Sequence, residues 1–543
     1  MTNPLLTMDS LPPFSQIQPD QVQPAVTQAI ADCKQKIEDV LAQKEPHTWD
    51  SLIAPLEEVN DRLSRIWSPI SHLNAVQNSE ALRAAHDACL PLLSEFQTYV
   101  GQHEGLYQAY LALSESDDFP LLSAAQRKEI QNTLRDFRLS GIGLPAEAQQ
   151  RYGEIQARLS ELASRFSNNV LDATQGWSKL VTDEAELAGL PASAQAAARQ
   201  MAELKGKEGW LFTLDIPSYL PVMMYSDNRA LRAELYEAFT TRASDQGPNA
   251  GKWDNSAIMS ELLTLRRELA QLLGFANYAE LSLATKMADK TEQVVSFLTD
   301  LAAKSLPQGK AELEEIRAFA AEQHGQSELA AWDLAYYAEK LKQHKFSISD
   351  EQLRPYFPAS RVVKGLFEVV KRVFGMKVRE RLGIDTWHPD VRFFELYDEK
   401  NELRGSFYLD LYAREHKQGG AWMDVCLGRR YRQDGSLQKP VAYLTCNFNG
   451  PVDGKPALFT HNEVVTLFHE FGHGIHHMLT RIDVAGVAGI NGVAWDAVEL
   501  PSQFLENWCW ESEALAFISG HHETGEPLPA DLLEKMLTAR NFQ

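Results

Sequence analysis

The stretch Thr466-Leu-Phe-His-Glu-Phe-Gly-His-Gly-Ile-His-His477 decides how the rest of the chain is read. It sets His469, Glu470 and His473 in the order H-E-x-x-H, inside an apolar run that includes Val464, Val465, Leu467, Phe468, Phe471, Ile475, Met478 and Leu479. Helical periodicity brings His469 and His473 to one face, a turn apart. Two neutral imidazoles so spaced can take two corners of a zinc tetrahedron. Glu470 beside them can hold and deprotonate a water at an open corner, which suits metal-assisted hydrolysis of a peptide bond. The alternative is an amphipathic helix with two surface histidines. Apolar residues around the pattern weigh against it, because a buried polar group needs a partner and a metal is one.

A catalytic zinc keeps three protein ligands and one open position. No Cys lies nearby at ligand spacing, and His476 stands about 10.5 Å along the helix axis from His469, beyond the reach of one ion. His476 and His477 read either as groups behind the ligands or lining a channel, or as plain surface histidines. The candidate third ligand is Glu499, in Trp495-Asp-Ala-Val-Glu-Leu-Pro-Ser-Gln-Phe-Leu-Glu-Asn-Trp508. It opens a second apolar-periodic run after a connector containing Gly486, Gly489 and Gly492, which lets the two helices fold back on each other. Gly472 and Gly474 weaken the first helix, a cost that makes sense where another backbone must come close. Asp496 and Glu506 are the nearest acidic candidates for orienting the ligand imidazoles.

With both halves in view, His469-Glu-Phe-Gly-His473 followed by Glu499-Leu-Pro-Ser-Gln-Phe-Leu-Glu-Asn-Trp508 resembles the thimet oligopeptidase family of zinc metallopeptidases. The similarity runs over essentially the whole chain, through Met1-Thr-Asn-Pro-Leu-Leu, Ser140-Gly-Ile-Gly-Leu-Pro145 and Arg242-Ala-Ser-Asp-Gln-Gly-Pro-Asn-Ala-Gly251. The resemblance implies His469, His473 and Glu499 as ligands of one zinc ion per chain and Glu470 as the base. It also implies a mainly α, two-lobed metallopeptidase with a deep channel and a small β-sheet next to the H-E-x-x-H helix. Residues 1–215 would form an N-terminal helical region and residues 216–543 the catalytic region.

Composition narrows the partners. The chain has 543 residues, 44% hydrophobic and 23% charged, which is ordinary for a large globular protein. A formal net charge of −22 argues against nucleic acid and anionic membranes as partners. Five scattered cysteines, Cys33, Cys89, Cys426, Cys446 and Cys509, read as free thiols of a reducing compartment. With no signal-peptide pattern at the N-terminus and no apolar stretch long enough to span a bilayer, a soluble, cytoplasmic protein is expected, and the resemblance implies a monomer acting on short peptides.

Along the chain, Pro24 to about Leu180 reads as helical, with starts at Pro24, Thr48, Ser123 and Pro145 and a long helix over Ala146–Leu171. Trp210–Asp215 and Leu220–Tyr225 read as short strands. Helices follow at Arg229–Arg242, Ser256–Leu273, Thr291–Gln323, Trp332–Gln343 and Val362–Phe374. Ser244–Lys252 fails as a phosphate loop, because Gln246 stands where the first Gly is required and Trp253 where Ser or Thr is. Alternation over Val391–Tyr397, Gly405–Tyr412 and Val441–Phe448 predicts a small sheet. Tyr443–Phe448 reads either as its edge strand, along which a peptide could pair, or as an ordinary core strand.

The helix pattern over Asp531–Gln543 ends without a stop signal, so the chain reads as cut there. The resemblance implies a further segment bearing His and Tyr that stabilises the oxyanion, and each lost donor of that kind lowers rate by about 10²–10³. Three functional readings stand beside the endopeptidase: a dipeptide-releasing carboxypeptidase of the same family, a silent zinc-containing peptide binder, and a helical scaffold without metal.

Overall fold

Thr460 starts the helix His461–Met478. Its hydroxyl accepts the Glu463 N–H at 3.1 Å, and Glu463 Oε1 accepts the Thr460 N–H at 3.0 Å. This reciprocal cap satisfies two of the orphan donors at a helix start. In the computed structural model, which describes residues 2–543, that helix lies against a five-stranded sheet. Val464, Leu467, Phe468, Phe471 and Met478 are fully buried there.

A separate antiparallel pair, β1 (Ser178–Val181) and β2 (Trp210–Thr213), with the helix Ala192–Leu204 between them in the chain, precedes the sheet. The sheet comprises β3 (Lys377–Glu380), β4 (Arg392–Tyr397), β5 (Leu403–Tyr412), β6 (Trp422–Leu427) and, after a small ribbon of β7 (Arg430–Tyr431) and β8 (Leu437–Gln438), β9 (Val441–Phe448). Its order is β3-β4-β5-β9-β6, with β5 and β9 parallel and the other pairs antiparallel.

Both faces of the sheet are covered. Phe407, Leu409, Leu444 and Cys446 point to the helix His461–Met478 and to its neighbour Ala359–Phe374. The alternate residues Tyr408 and Tyr443 pack with Phe14, Trp387 and the N-terminal helices Pro19–Leu41, Ala54–Val76 and Glu80–Gly101. Each such Leu or Phe contributes about 1.5–3 kcal/mol when fully buried, so the sheet stands between two apolar cores, one shared with the N-terminal helices and one with the helix His461–Met478.

Helices at Ala146–Gln175, Arg229–Thr240, Ser256–Leu272, Thr291–His324, Ala331–Phe346 and Ala359–Phe374 match the periodic pattern, as do β4, β5 and β9. Four expectations need correction. Leu220–Tyr225 belongs to the helix Ile216–Tyr225, which starts with Pro217 in its first turn. The first long helix begins at Pro19, not Pro24, with the Gln18 N–H bound to Gln21 Oε1 at 2.8 Å. The helical run from Pro24 to Leu180 ends at Gln175, because Ser178–Val181 pairs with β2.

The fourth concerns β9, which is internal, not an edge. β6 lies outside it, and the edge groups of β6 are partly taken. Ser68 Oγ donates to the Val425 carbonyl at 2.8 Å, and His477 Nε2 to the Leu427 carbonyl at 2.8 Å. Among the described residues no helix is long and apolar enough to cross a membrane. All five cysteines are free and buried.

Candidate metal centre

The site forms where the helix His461–Met478 meets the short helix Leu500–Glu506. Their close approach depends on Gly472: a Cβ there would stand 2.5 Å from Ser502 Cα and 2.6 Å from the Pro501 carbonyl oxygen. Gly474 faces the Leu444 side chain instead, at 3.0 Å. The connector between the helices turns on Gly489 and Gly492, both at positive φ. His477 clamps it from beneath: Nε2 donates to Leu427 of β6, and Nδ1 accepts the Ile490 N–H at 3.4 Å. Burial lowers the His477 pKa to about 4, so the ring is neutral and can do both. His477 is thus a buried strut and lines no channel. His476 stands half-buried beside it, outside the group of donors described next.

Glu499 immediately precedes Leu500–Glu506. Its Oε2 lies 3.1 Å from His469 Nε2 and 3.3 Å from His473 Nε2. Ser502 Oγ, 2.9 Å from the same oxygen and 2.8 Å from the Glu499 carbonyl, holds the carboxylate in place. Two turns on, Glu506 Oε1 receives His469 Nδ1 at 2.6 Å. That bond fixes the Nδ1–H tautomer and turns the Nε2 lone pair toward Glu499, an arrangement that a cation between them would satisfy. The Glu499 side chain is 51% exposed, against 24% for His469 and 11% for His473, so the three converge at an open surface.

These spacings fit zinc. Three donors at zinc bond lengths of about 2.0–2.1 Å in a tetrahedron stand about 3.3–3.4 Å apart, close to the separations found. Glu470 is buried at 6% exposure, and burial raises its carboxyl to about 7, with His469 lowering it and Glu499 raising it further. A carboxylate in such surroundings is a stronger base than one in water.

Asp496 is not beside the imidazoles. It binds the Met287 and Ala288 N–H groups at 3.0–3.1 Å, because the turn Trp495–Ala497 points it away from the helix pair. Ser502 escaped the sequence reading. Its signal is a hydroxyl three residues after a candidate ligand in a first helical turn. A second cluster, His521, His522 and Glu523, suits a cation poorly. The rings stack 5.0 Å apart at 26°, and His521 Nδ1 already accepts the Glu523 and Thr524 N–H groups at 3.2 and 3.4 Å.

Comparison with known proteins bears on the family of the whole chain. The profile of peptidase family M3 matches residues 222–543, and that of the neurolysin/thimet oligopeptidase N-terminal domain matches residues 26–149. The chain is 69% identical to oligopeptidase A of Escherichia coli and 68% identical to oligopeptidase A of Salmonella typhimurium, each over 100% of this chain and 80% of the relative. Dipeptidyl carboxypeptidase of Escherichia coli is 30% identical, over 99% of this chain and 79% of that relative. The solved structure of PZ peptidase A with an inhibitor shares the fold, at a TM-score of 0.52 and 14% identity over 92% of this chain and 70% of that one. The chain belongs to peptidase family M3, a family of metallopeptidases.

Proposed function

We propose that this chain is a zinc-dependent endopeptidase of short, unfolded peptides, in which His469, His473 and Glu499 hold one zinc ion and Glu470 is the general base. The observation that carries the reading is the convergence of three donor atoms, two from one helix and one from the residue that caps the next, at separations of 3.1 and 3.3 Å about Glu499 Oε2. When bound, zinc supplies Lewis acidity, polarising a carbonyl and lowering the pKa of water toward about 7. Glu470 takes the proton of the attacking water and returns it to the leaving amine. Glu506 keeps the His469 ring aligned, and Ser502 keeps the Glu499 carboxylate turned inward. Greater identity to oligopeptidases A than to the dipeptidyl carboxypeptidase favours internal cleavage over release of terminal dipeptides. Five buried thiols without a disulfide support a cytoplasmic location.

The test is cleavage of a quenched short peptide by purified chain, with metal analysis. One zinc per chain is expected. A chelator should lower the rate about 10²-fold or more, and readdition of one equivalent of zinc should restore it. A chain that binds zinc and peptide without cleaving would be the silent binder instead. Glu506→Gln should weaken zinc affinity about 10–100-fold while leaving the fold intact, as competition with a chromogenic chelator would show. Unchanged affinity would remove Glu506 from the site.

A further inference from the structure

Cations from four separate stretches of the chain converge at the C-terminal end of the helix His461–Met478. Arg404 of β5, Arg429 between β6 and β7, Lys439 between β8 and β9, and Arg481 just past that helix line one cavity of about 640 Å³, with Lys400 at the β4–β5 turn. Five of the eleven residues around this cavity are Lys or Arg, several times the average of a chain with 52 in 543 and a net charge of −22. Three acids line it as well, Asp398, Glu399 and Glu402. Asp398 closes its own turn: Oδ1 accepts the Lys400 and Glu402 N–H groups at 2.9 Å, and Oδ2 stands 4.0 Å from Arg404. Glu399 folds back over Gly375, where a Cβ would stand 2.6 Å from its Oε1. Glu402 alone remains to balance the cations.

Two of these cations hold the segment that follows the helix. Arg404 Nη2 donates to the Leu479 and Thr480 carbonyls at 3.4 and 3.3 Å, and Arg429 Nε donates to Asp483 Oδ1 at 2.7 Å. Both side chains are only 11% exposed. Among the described residues, the two Nη atoms of Arg429, Lys439 Nζ and the Arg481 guanidinium have no hydrogen-bond or ion-pair partner. The backbones that carry them are fixed. Gln438 Nε2 donates to the Gly428 carbonyl at 2.9 Å, and the Pro440 carbonyl accepts the Ser406 N–H at 3.0 Å. Burial, with the Arg429 and Arg404 guanidiniums close by, lowers the Lys439 ammonium below its usual range despite Glu402 and Asp398. Like charges are thus held together on rigid strands. A multiply charged anion would relieve the crowding and accept from the free donors.

We propose that this cavity is a binding site for a phosphate group, held by Arg429, Lys439 and Arg481 with Arg404 adding charge. A guanidinium offers a fork that matches phosphate oxygens, and an ammonium adds a point charge. A free phosphate ion and the terminal phosphate of a nucleotide share this chemistry. None of His469, His473, Glu470 and Glu499 lines the cavity, so the site stands independently of the endopeptidase reading. The bound group ties the strands carrying Arg429 and Lys439 to Arg481, in the stretch that leads from the helix of His469 and His473 toward Glu499. Occupancy therefore restrains the start of that link.

The experiment titrates the zinc-loaded full chain with inorganic phosphate and, separately, with ADP by calorimetry, and repeats both titrations after zinc removal. Saturable binding of one anion per chain is expected in both forms, and phosphate should slow amide exchange at Arg481, Ile482 and Asp483 about threefold or more. Lys439→Gln and Arg481→Gln should each weaken binding about tenfold or more, the loss of one charge-assisted hydrogen bond. Arg481 is exposed, so its variant keeps the test decisive even where Lys439→Gln fails to fold. Lys364→Gln removes the same charge from the exposed face of the helix Ala359–Phe374 and should leave binding within about twofold. Tighter binding of ADP than of phosphate assigns the site to a nucleotide, and equal or weaker binding assigns it to the free ion. Three results overturn the proposal: no saturable binding of either anion, binding that disappears with the zinc, or the same affinity in Arg481→Gln as in Lys364→Gln.

Discussion

Glu470→Gln should leave zinc bound and remove turnover. Gln keeps the shape and buried position of Glu470 but has no lone pair basic enough to take a proton from water, so the general-base contribution of about 10²–10⁴ in rate is lost. The three donors are on other residues, so metal content should stay at one zinc per chain. Loss of folding cannot supply the same result. The Glu470 carboxyl is raised to about 7 by burial, above its unfolded value, so its contribution to stability is full at acid pH and is lost as pH rises through 7. At pH 8, in the metal-free chain, the ionised group is a burden that the neutral amide lacks, and the metal-free variant should melt no lower than the metal-free parent. Single-turnover assays with metal analysis at that pH are the measurement. A variant with full zinc and near-parental turnover would exclude Glu470 as the base.

The helix His461–Met478 was legible because three independent signals coincide there: the spacing of His469, Glu470 and His473, an apolar surround, and glycines that weaken a helix without an evident local reason. Gly472 shows that last signal most directly, since its reason is the backbone of Ser502. Sheet order was not legible. Val441–Phe448 is buried on nearly every residue, which is how a strand covered on both faces and flanked on both edges reads, yet its position just before the metal-site helix suggested an edge. β6, which takes that edge, gives no clean alternation, because Trp422 and Asp424 interrupt it and packing alone determines its place. Leu220–Tyr225 is too short an apolar run for periodicity to distinguish helix from strand, and Asp215 and Pro217 carried the helix-start signal that decides it. Asp496, three residues before Glu499, and Glu506, seven after it, are both carboxylates close to it in sequence. Only the turn Trp495–Ala497 and the two helical turns after Glu499 separate them, sending one carboxylate to the Met287 and Ala288 amides and the other to His469.

Gly472→Ala should abolish tight zinc binding although it adds a single methyl group and improves helix propensity by about 1 kcal/mol. The new Cβ would stand 2.5 Å from Ser502 Cα and 2.6 Å from the Pro501 carbonyl oxygen, both backbone atoms that no rotamer change can move. Ordinary contact requires the helices to part by about 1 Å, and such overpacking costs about 1–3 kcal/mol, enough to cancel the gain in propensity. The larger effect falls on the site. Glu499 and Ser502 move with the displaced helix while His469 and His473 stay, so the 3.1 and 3.3 Å donor spacings stretch by a similar amount. Metal sites tolerate about 0.2 Å in ligand distance, so the carboxylate leaves the coordination sphere and affinity should fall about 10²-fold or more. Gly474→Ala is the control. Its Cβ meets only the end of the Leu444 side chain at 3.0 Å, which can turn aside, so zinc affinity should hold within a few-fold. Competition titrations on both variants, beside melting curves of the metal-free chains, separate the outcomes. If Gly472→Ala bound zinc as tightly as the parent, the helix contact at Ser502 would not be what brings Glu499 to the two imidazoles.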